Sequence, residues 1–433
     1  MNVNELKQLA QNIIDDIKKR GIDKAFCSVS SSVKTEFNVD NGAFSLMRTL
    51  FESSLSITVY NEGKKGFVNI NKIDSDSISG AIDECIKMSE SATPDDAWEV
   101  APVSVNQDFV EGSPDIEMDK LFDRTAELVS YAEEKYPKVI LQQVIVTHVK
   151  VEKAYANSNG VLYSVLAGDY SGELMFSALD GEKTSSFYGS GFTVDNLDTP
   201  FYRLGTVEKD FSDIEKQIET VPVDGKFVGT VLFVPASFAE AVETILSDFC
   251  GDMAILDGTS IWRDKLGQKV VDERITVSLN PSDHRIVCGE KYTSEGYLSE
   301  DLDIIKDGVL KNFVISSYVA NKTGNKRATA SSGLIVKPGN QSLDDIIRGI
   351  DRGIIIGRFS GGQPASNGDF SGVAKNSFYV ENGKIKYAVS ETMINGNFAD
   401  MFNNLRAVSS DVVCDGDVAL PYVAFDGLTI SGK

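Results

Sequence analysis

Thr35-Glu-Phe-Asn-Val-Asp-Asn-Gly-Ala-Phe-Ser-Leu-Met47 decides the fold class. Apolar and polar residues alternate up to Asn41-Gly42, the strongest short hairpin signal, and an apolar stretch then resumes. Two strands joined by so short a turn must run antiparallel. The arrangement repeats immediately: Leu55-Ser-Ile-Thr-Val-Tyr60, a turn at Asn61-Glu-Gly63, then Gly66-Phe-Val-Asn-Ile70. Helices flank the strands. Leu6, Leu9, Ile13 and Ile17 share one face of a first helix that Gly21 stops, and Ser75–Ser89 turns Ile78, Ile82, Cys85 and Ile86 inward behind a Ser75 or Asp76 cap.

The same order returns further on. Asp119–Lys135 reads as a helix with Leu121, Phe122, Ala126 and Val129 on one side, and strands follow from Val139 to about Val194, with a second turn at Asn159-Gly160. This predicts a duplicated helix-plus-hairpin unit, residues 1–90 and 119–200, within an N-terminal α+β domain of residues 1–222. The acidic, proline-bearing stretch from Ser91 to Met118 reads as a linker or a long surface connection. After a short helix at Asp210–Glu219, a β-rich, mainly antiparallel domain of residues 223–433 is expected. It starts with strand Val228–Val234 and helix Ser237–Phe249, turns at Asp307-Gly308, Lys337-Pro-Gly339 and Asn382-Gly383, and has further helices at Leu343–Gly349 and Asn397–Asn404. The fold class is α+β, not a doubly wound parallel sheet.

At 433 residues the chain is too long for one typical core. Its net charge of −22 argues against broad contact with nucleic-acid phosphates or anionic lipid. Cys27, Cys85, Cys250, Cys288 and Cys414 are odd in number and widely spaced, which fits a reducing compartment rather than a disulfide framework. The N-terminal residues lack the basic start and apolar core of a signal peptide, and no apolar run approaches the length of a membrane span. A cytoplasmic protein is expected.

The segment Gly357–Gly372, Gly-Arg-Phe-Ser-Gly-Gly-Gln-Pro-Ala-Ser-Asn-Gly-Asp-Phe-Ser-Gly, holds five glycines. Bare backbone of this kind suits contact with another backbone or an anion, and it equally suits a long hairpin connection. The segment lacks the Lys-Ser/Thr ending of a phosphate loop. His148 and His284 are the two histidines, and neither belongs to a helical His-Glu motif. The residues alone therefore give a two-part α+β protein with a glycine-rich cleft and no visible catalytic machinery.

Three ordered C-terminal blocks add to this. Asp307-Gly-Val-Leu-Lys-Asn-Phe with Ser317-Tyr-Val-Ala-Asn-Lys-Thr-Gly is the first. Gly361-Gly-Gln through Asn367-Gly-Asp-Phe-Ser, then Val380-Glu-Asn-Gly-Lys-Ile, is the second. Gly396-Asn-Phe-Ala-Asp-Met-Phe-Asn-Asn-Leu with Ser409-Ser-Asp is the third. Together they resemble the TldD/PmbA (TldE) family, with weaker similarity at Gly63–Asn71 and Asn157–Gly160. That family carries an older label, modulator of DNA gyrase.

The resemblance implies a two-subunit cytoplasmic peptidase that trims unfolded peptides, whose TldD-type subunit holds zinc through an H-E-x-x-x-H helix and a later cysteine. The corresponding helix here runs Ser237-Phe-Ala-Glu-Ala-Val-Glu-Thr244, which puts Glu240 at the glutamate but Ala239 and Thr244 where the histidines belong. Alanine has no lone pair to offer, and a threonine hydroxyl is a poor zinc ligand. Cys414 falls at the family's cysteine, either a remnant or a small buried thiol. The resemblance thus implies the PmbA/TldE type: no catalytic residue, metal or cofactor in this chain, and zinc in a TldD-type partner. It would leave the chain to close a chamber and hold an extended peptide by strand addition, with Gly361, Gly362, Gln363, Asn367, Gly368, Asp369 and Phe370 as binding candidates. A homo-oligomeric peptide- or protein-binding module without a peptidase partner is the alternative; nucleic acid and membrane are not expected partners.

Overall fold

The computed structural model describes residues 1–102, 106–361 and 364–432. Helix α1 (Val3–Lys19) begins at a capping box, in which the Asn2 side chain accepts from the Glu5 backbone and Glu5 reaches back to the Asn2 N–H. Its buried face is Leu6, Ala10, Ile13, Ile14 and Ile17. Strands β1 (Lys24–Asp40), β2 (Ala43–Asn61) and β3 (Lys64–Ile70) form the expected meander, followed by α2 (Ser75–Ser91). Asn41 and Gly42 both take positive φ, 49° and 79°, as the tight turn requires.

The stretch between α2 and α3 (Met118–Lys135) is more than a linker. Gln107–Gly112 form strand β4, which pairs in parallel with Tyr163–Gly168. Strands β5 (Val139–Asn157), β6 (Leu162–Asp180), β7 (Lys183–Thr184) and β8 (Tyr188–Val194) complete an eight-stranded sheet among the described residues. At its centre β1 and β5, the first strands of the two helix-plus-hairpin units, run antiparallel from Phe26↔Asn157 to Asp40↔Gln143. Odd-numbered β1 residues face the helices: Cys27 and Val29 pack under α1 and α2, while Phe37 and Val39 pack under α3. The opposite face turns Phe26, Tyr155 and Tyr163 towards Tyr292 and Leu298 of the second half of the chain.

Helix α4 (Val207–Lys216) closes the first half. It starts earlier than its apolar spacing suggests because Val207, Phe211 and Ile214 all dock on the core shared with α3. The second sheet has fourteen strands among the described residues. They are β9 (Thr220–Val221), β10 (Lys226–Phe233), β11 (Val277–Leu279), β12 (Leu302–Lys306), β13 (Val309–Leu310), β14 (Leu334–Val336), β15 (Arg352–Ile356), β16 (Arg358–Gly361), β17 (Asp369–Lys375), β18 (Ser377–Glu381), β19 (Lys384–Val389), β20 (Thr392–Asn397), β21 (Leu405–Cys414) and β22 (Val418–Ser431). Most pairings are antiparallel, but β10–β15, β14–β22 and β9–β19 are parallel. Helices α5 (Pro235–Asp248), α6 (Asp252–Leu256), α7 (Ser317–Thr323), α8 (Leu343–Arg348) and α9 (Phe398–Asn403) are spaced between the strands. The architecture is α+β.

Ser317–Thr323, from the first of the three blocks, is helix α7, and it binds the two halves together. Tyr318 donates its hydroxyl to Asp95 (2.9 Å), Lys322 pairs with the same carboxylate (2.8 Å), and the Tyr318 ring stacks on Trp98 at 3.9 Å. No helix among the described residues is long and apolar enough to cross a membrane.

Candidate functional site

The glycine-rich segment is a hairpin. Chain leaving the buried run Ile354–Ile356 turns at Gly357 into β16, which pairs with β17 from Arg358↔Lys375 to Gly361↔Gly372. Among the described residues β16 has β17 as its one strand partner. The glycines make room for a ring: a Cβ at Gly372 would fall 2.3 Å from Cζ of Phe359, so the Phe359 ring lies over Gly361 and Gly372. Gly368 holds φ +91° at the hairpin's far end.

Asn397 locks that end. Its Nδ2 donates to the Asn367 carbonyl and to Asp369 Oδ1 (both 2.9 Å), while its Oδ1 accepts from the Ala399 and Asp400 N–H groups and so caps α9. Asn367 adds a 2.8 Å bond from Nδ2 to Asp369 Oδ2. Hydrogen bonds from Asn397 and then Asn367 hold the Asp369 carboxyl below the usual range. The polar atoms of Asn367 and Asp369 are thus engaged with the turn. Gly362 and Gln363 lie outside the described residues.

Below this hairpin is a cavity of about 210 Å³. Helix α5 contributes Ser237, Glu240, Ala241 and Thr244, spaced i, i+3, i+4 and i+7 and hence on one face. The facing wall is aromatic. Phe370 stacks on Phe398 (ring centroids 4.4 Å) and meets Phe359 edge-on (5.8 Å), with Phe233, Gly361 and Pro364 completing the lining. Gly361 and Phe370 meet Glu240 and Thr244 at one place, a juxtaposition the sequence did not show, whereas Asn367, Gly368 and Asp369 shape the turn above. Phe359 and Phe398 were not singled out in the sequence, although each stands inside or beside a quoted block.

Glu240 is the ionisable group in the lining. Loss of surrounding water, and next Glu243, push its carboxyl upward, while Arg358 opposes them. The Thr244 hydroxyl donates to the Glu240 carbonyl at 2.8 Å, and Ser237 Oγ lies 3.1 Å from the Val234 and Ile356 carbonyls. Ala239 packs against the hydrophobic core instead of lining the cavity. Cys414 lines a different cavity, beside His284 and Arg285. His148 is buried in the first sheet, its Nε2 2.8 Å from the Ser113 carbonyl. A catalytic zinc takes three protein ligands of the histidine, cysteine or carboxylate kind. Glu240 alone does not meet that demand, and no cluster of three or more such side chains able to hold a metal occurs among the described residues.

Residues 225–432 match the PmbA/TldA metallopeptidase C-terminal domain, and residues 27–92 match PmbA/TldA metallopeptidase domain 1. The chain belongs to the PmbA/TldD metallopeptidase family. It is 26% identical over 408 residues to the metalloprotease PmbA homolog of Haemophilus influenzae, covering 88% of this chain and 86% of that protein. Metalloprotease PmbA of Escherichia coli O157:H7 is 25% identical over 406 residues, with 88% and 86% covered. The crystal structure of TldE from Thermococcus kodakarensis superposes with a TM-score of 0.87 at 20% identity, covering 98% of this chain and all of that one. Within the PmbA/TldD family, then, this chain has a helix α5 cavity that offers a single carboxylate.

Proposed function

We propose that this protein is a non-catalytic, PmbA/TldE-like subunit of a cytoplasmic zinc peptidase, and that it holds extended peptides for a zinc-bearing TldD-type paralogue to cut. The observation that carries this reading is the α5 cavity, which combines a binding shape with a donor set unfit for zinc. An aromatic wall would receive an apolar side chain, and the side of β16 away from β17, which pairs with no described strand, would offer main-chain N–H and C=O groups for strand addition. Main-chain pairing tolerates many sequences and excludes chains that are already folded. Five free cysteines agree with a reducing compartment.

Binding without turnover is the direct test. A fluorescent unstructured peptide carrying an apolar residue should bind the pure chain saturably and remain intact. Gly372→Val, whose side chain would collide with Phe359, should abolish that binding. Equal binding by the variant, or cleavage by the pure chain, would overturn the reading.

A further inference from the structure

Strand β2 carries an apolar surface that the other described residues leave uncovered. Ala43–Thr49, Phe51 and Glu52 are all exposed, and among them are Phe44 (42%), Leu46 (42%), Met47 (55%) and Phe51 (78%). One side of β2 pairs with β1 from Ala43 to Tyr60. The other side pairs with β3 from Leu55 to Asn61 only, so Ala43–Ser54 meets no described strand there. An edge of this kind is a template for another strand, and proteins usually blunt it with lysine, proline or a short length. This segment has neither residue. Met47 and Phe51 stand opposite Phe37 and Val33 on the helix side, where Phe44 stacks on Phe122 of α3, while Leu46 and Leu50 stand on the other face. A strand apolar on both faces reads as one made to be buried.

The charges select the occupant. Arg48 and Glu52 are the charged residues of Ala43–Ser54, so the segment is neutral in a chain of net charge −22. Glu36 holds the Arg48 Nε at 2.7 Å, and Glu52 has no ion-pair partner among the described residues. When a strand pairs antiparallel with its own copy about a two-fold axis, residues directly opposite must share a face. An axis at Leu50 satisfies this and sets Arg48 of each copy opposite Glu52 of the other, with Thr49 opposite Phe51 and Leu50 opposite Leu50. An axis at Arg48 would set arginine against arginine, which is unfavourable. About the Leu50 axis, Phe51 lies diagonal to Met47 and to Phe51 of the other copy, within reach of an aromatic ring.

We propose that Leu46–Ser54 is a self-complementary interface, at which a second copy of this chain adds antiparallel and joins the two first sheets into one. The interface lies on the first sheet and does not depend on the function proposed for the α5 cavity.

Sedimentation velocity of the full chain over a concentration series tests it, at physiological ionic strength to screen the charge of −22 on each copy. A monomer–dimer equilibrium is expected, and amide exchange in Met47–Ser53 should slow as the dimer forms. Glu52→Arg sets arginine against Arg48 at both ends of the pairing and should raise the dimer's dissociation constant at least about tenfold. Phe51→Glu should leave the chain monomeric over the same range. Met253→Glu, at an exposed apolar residue of α6, should leave the equilibrium unchanged. Should Phe51→Glu fail to fold, Glu52→Arg, which alters an exposed side chain without an ion pair, still decides the matter. A wild type that stays monomeric, or that pairs at this edge only with a different protein, would overturn the proposal. So would a dimer that Glu52→Arg leaves as tight as before.

Discussion

Asp210→Asn should stabilise the protein, and by an amount that grows with pH. Asp210 is buried on α4, where loss of hydration pushes its carboxyl up to about 7 against an ordinary 3.8; Thr206, Ser190 and Lys209 pull it down, while Asp213 pushes it up. Below pH 4 folded and unfolded chains both carry the proton, and the group contributes nothing to the pH dependence. Between about 4 and 7 the unfolded chain gives the proton up while the folded chain keeps it, so stability falls as pH rises; above 7 the loss is complete. At ~1.4 kcal/mol per tenfold change in acidity, the loss is roughly 2 kcal/mol at pH 5 and roughly 4 kcal/mol at pH 8. Asparagine does not titrate, and its carbonyl still accepts the Thr206 hydroxyl. Urea unfolding of both proteins at the two pH values should therefore show the variant's advantage growing by roughly 2–3 kcal/mol from pH 5 to pH 8. Ionisable groups remote from Asp210 are common to both proteins and cancel in the difference. An advantage of the same size at both pH values would refute the assignment of a proton to buried Asp210.

Other perturbations read separate parts of the account. Phe370→Ala removes a ring that is 7% exposed and stacked on Phe398, and should lower stability by about 3–5 kcal/mol in urea unfolding while enlarging the α5 cavity. Asn397→Ala loses the α9 cap and both bonds to the hairpin end, costing about 1–2 kcal/mol, with faster hydrogen exchange in β17 as the sign that the turn has loosened. Tyr318→Phe and Lys322→Ala, each removing one contact to Asp95, should leave both sheets folded but increase exchange around Trp98, because the bonds they lose join the two halves of the chain.

The fold was legible where a local rule leaves one solution. Asn41-Gly42, Asp307-Gly308 and Asn382-Gly383 each place two residues at positive φ, as their dipeptides require, and α1 follows its apolar spacing from its cap to Gly21. Strand β4 was hidden because a six-residue edge strand in a proline-bearing stretch is specified by its distant partner β6, not by its own pattern. The parallel pairings of β10 with β15 and of β14 with β22 are equally non-local. Helices α6 and α7 are too short for periodicity to show; α7 is set by its Ser316 cap, by Gly324 at φ +72° and by its grip on Asp95.

At the site, the same limit applies. A short polar residue beside glycine either meets a ligand or closes its own turn, and Asn367-Gly-Asp369 does the second. That local signal was available in the sequence. The aromatic wall was not, because Phe359, Phe370 and Phe398 come from β16, β17 and α9 and meet only in three dimensions. Nor does sequence order show that Cys414 and Glu240 line different cavities.

Zinc content and peptidase activity, measured together on the pure chain and again after adding a paralogue that carries H-E-x-x-x-H, test the central claim most directly. The account predicts less than about a tenth of an equivalent of zinc and no cleavage for the pure chain, with chelator-sensitive cleavage once the paralogue is added. Stoichiometric zinc with chelator-sensitive cleavage by the pure chain would contradict it.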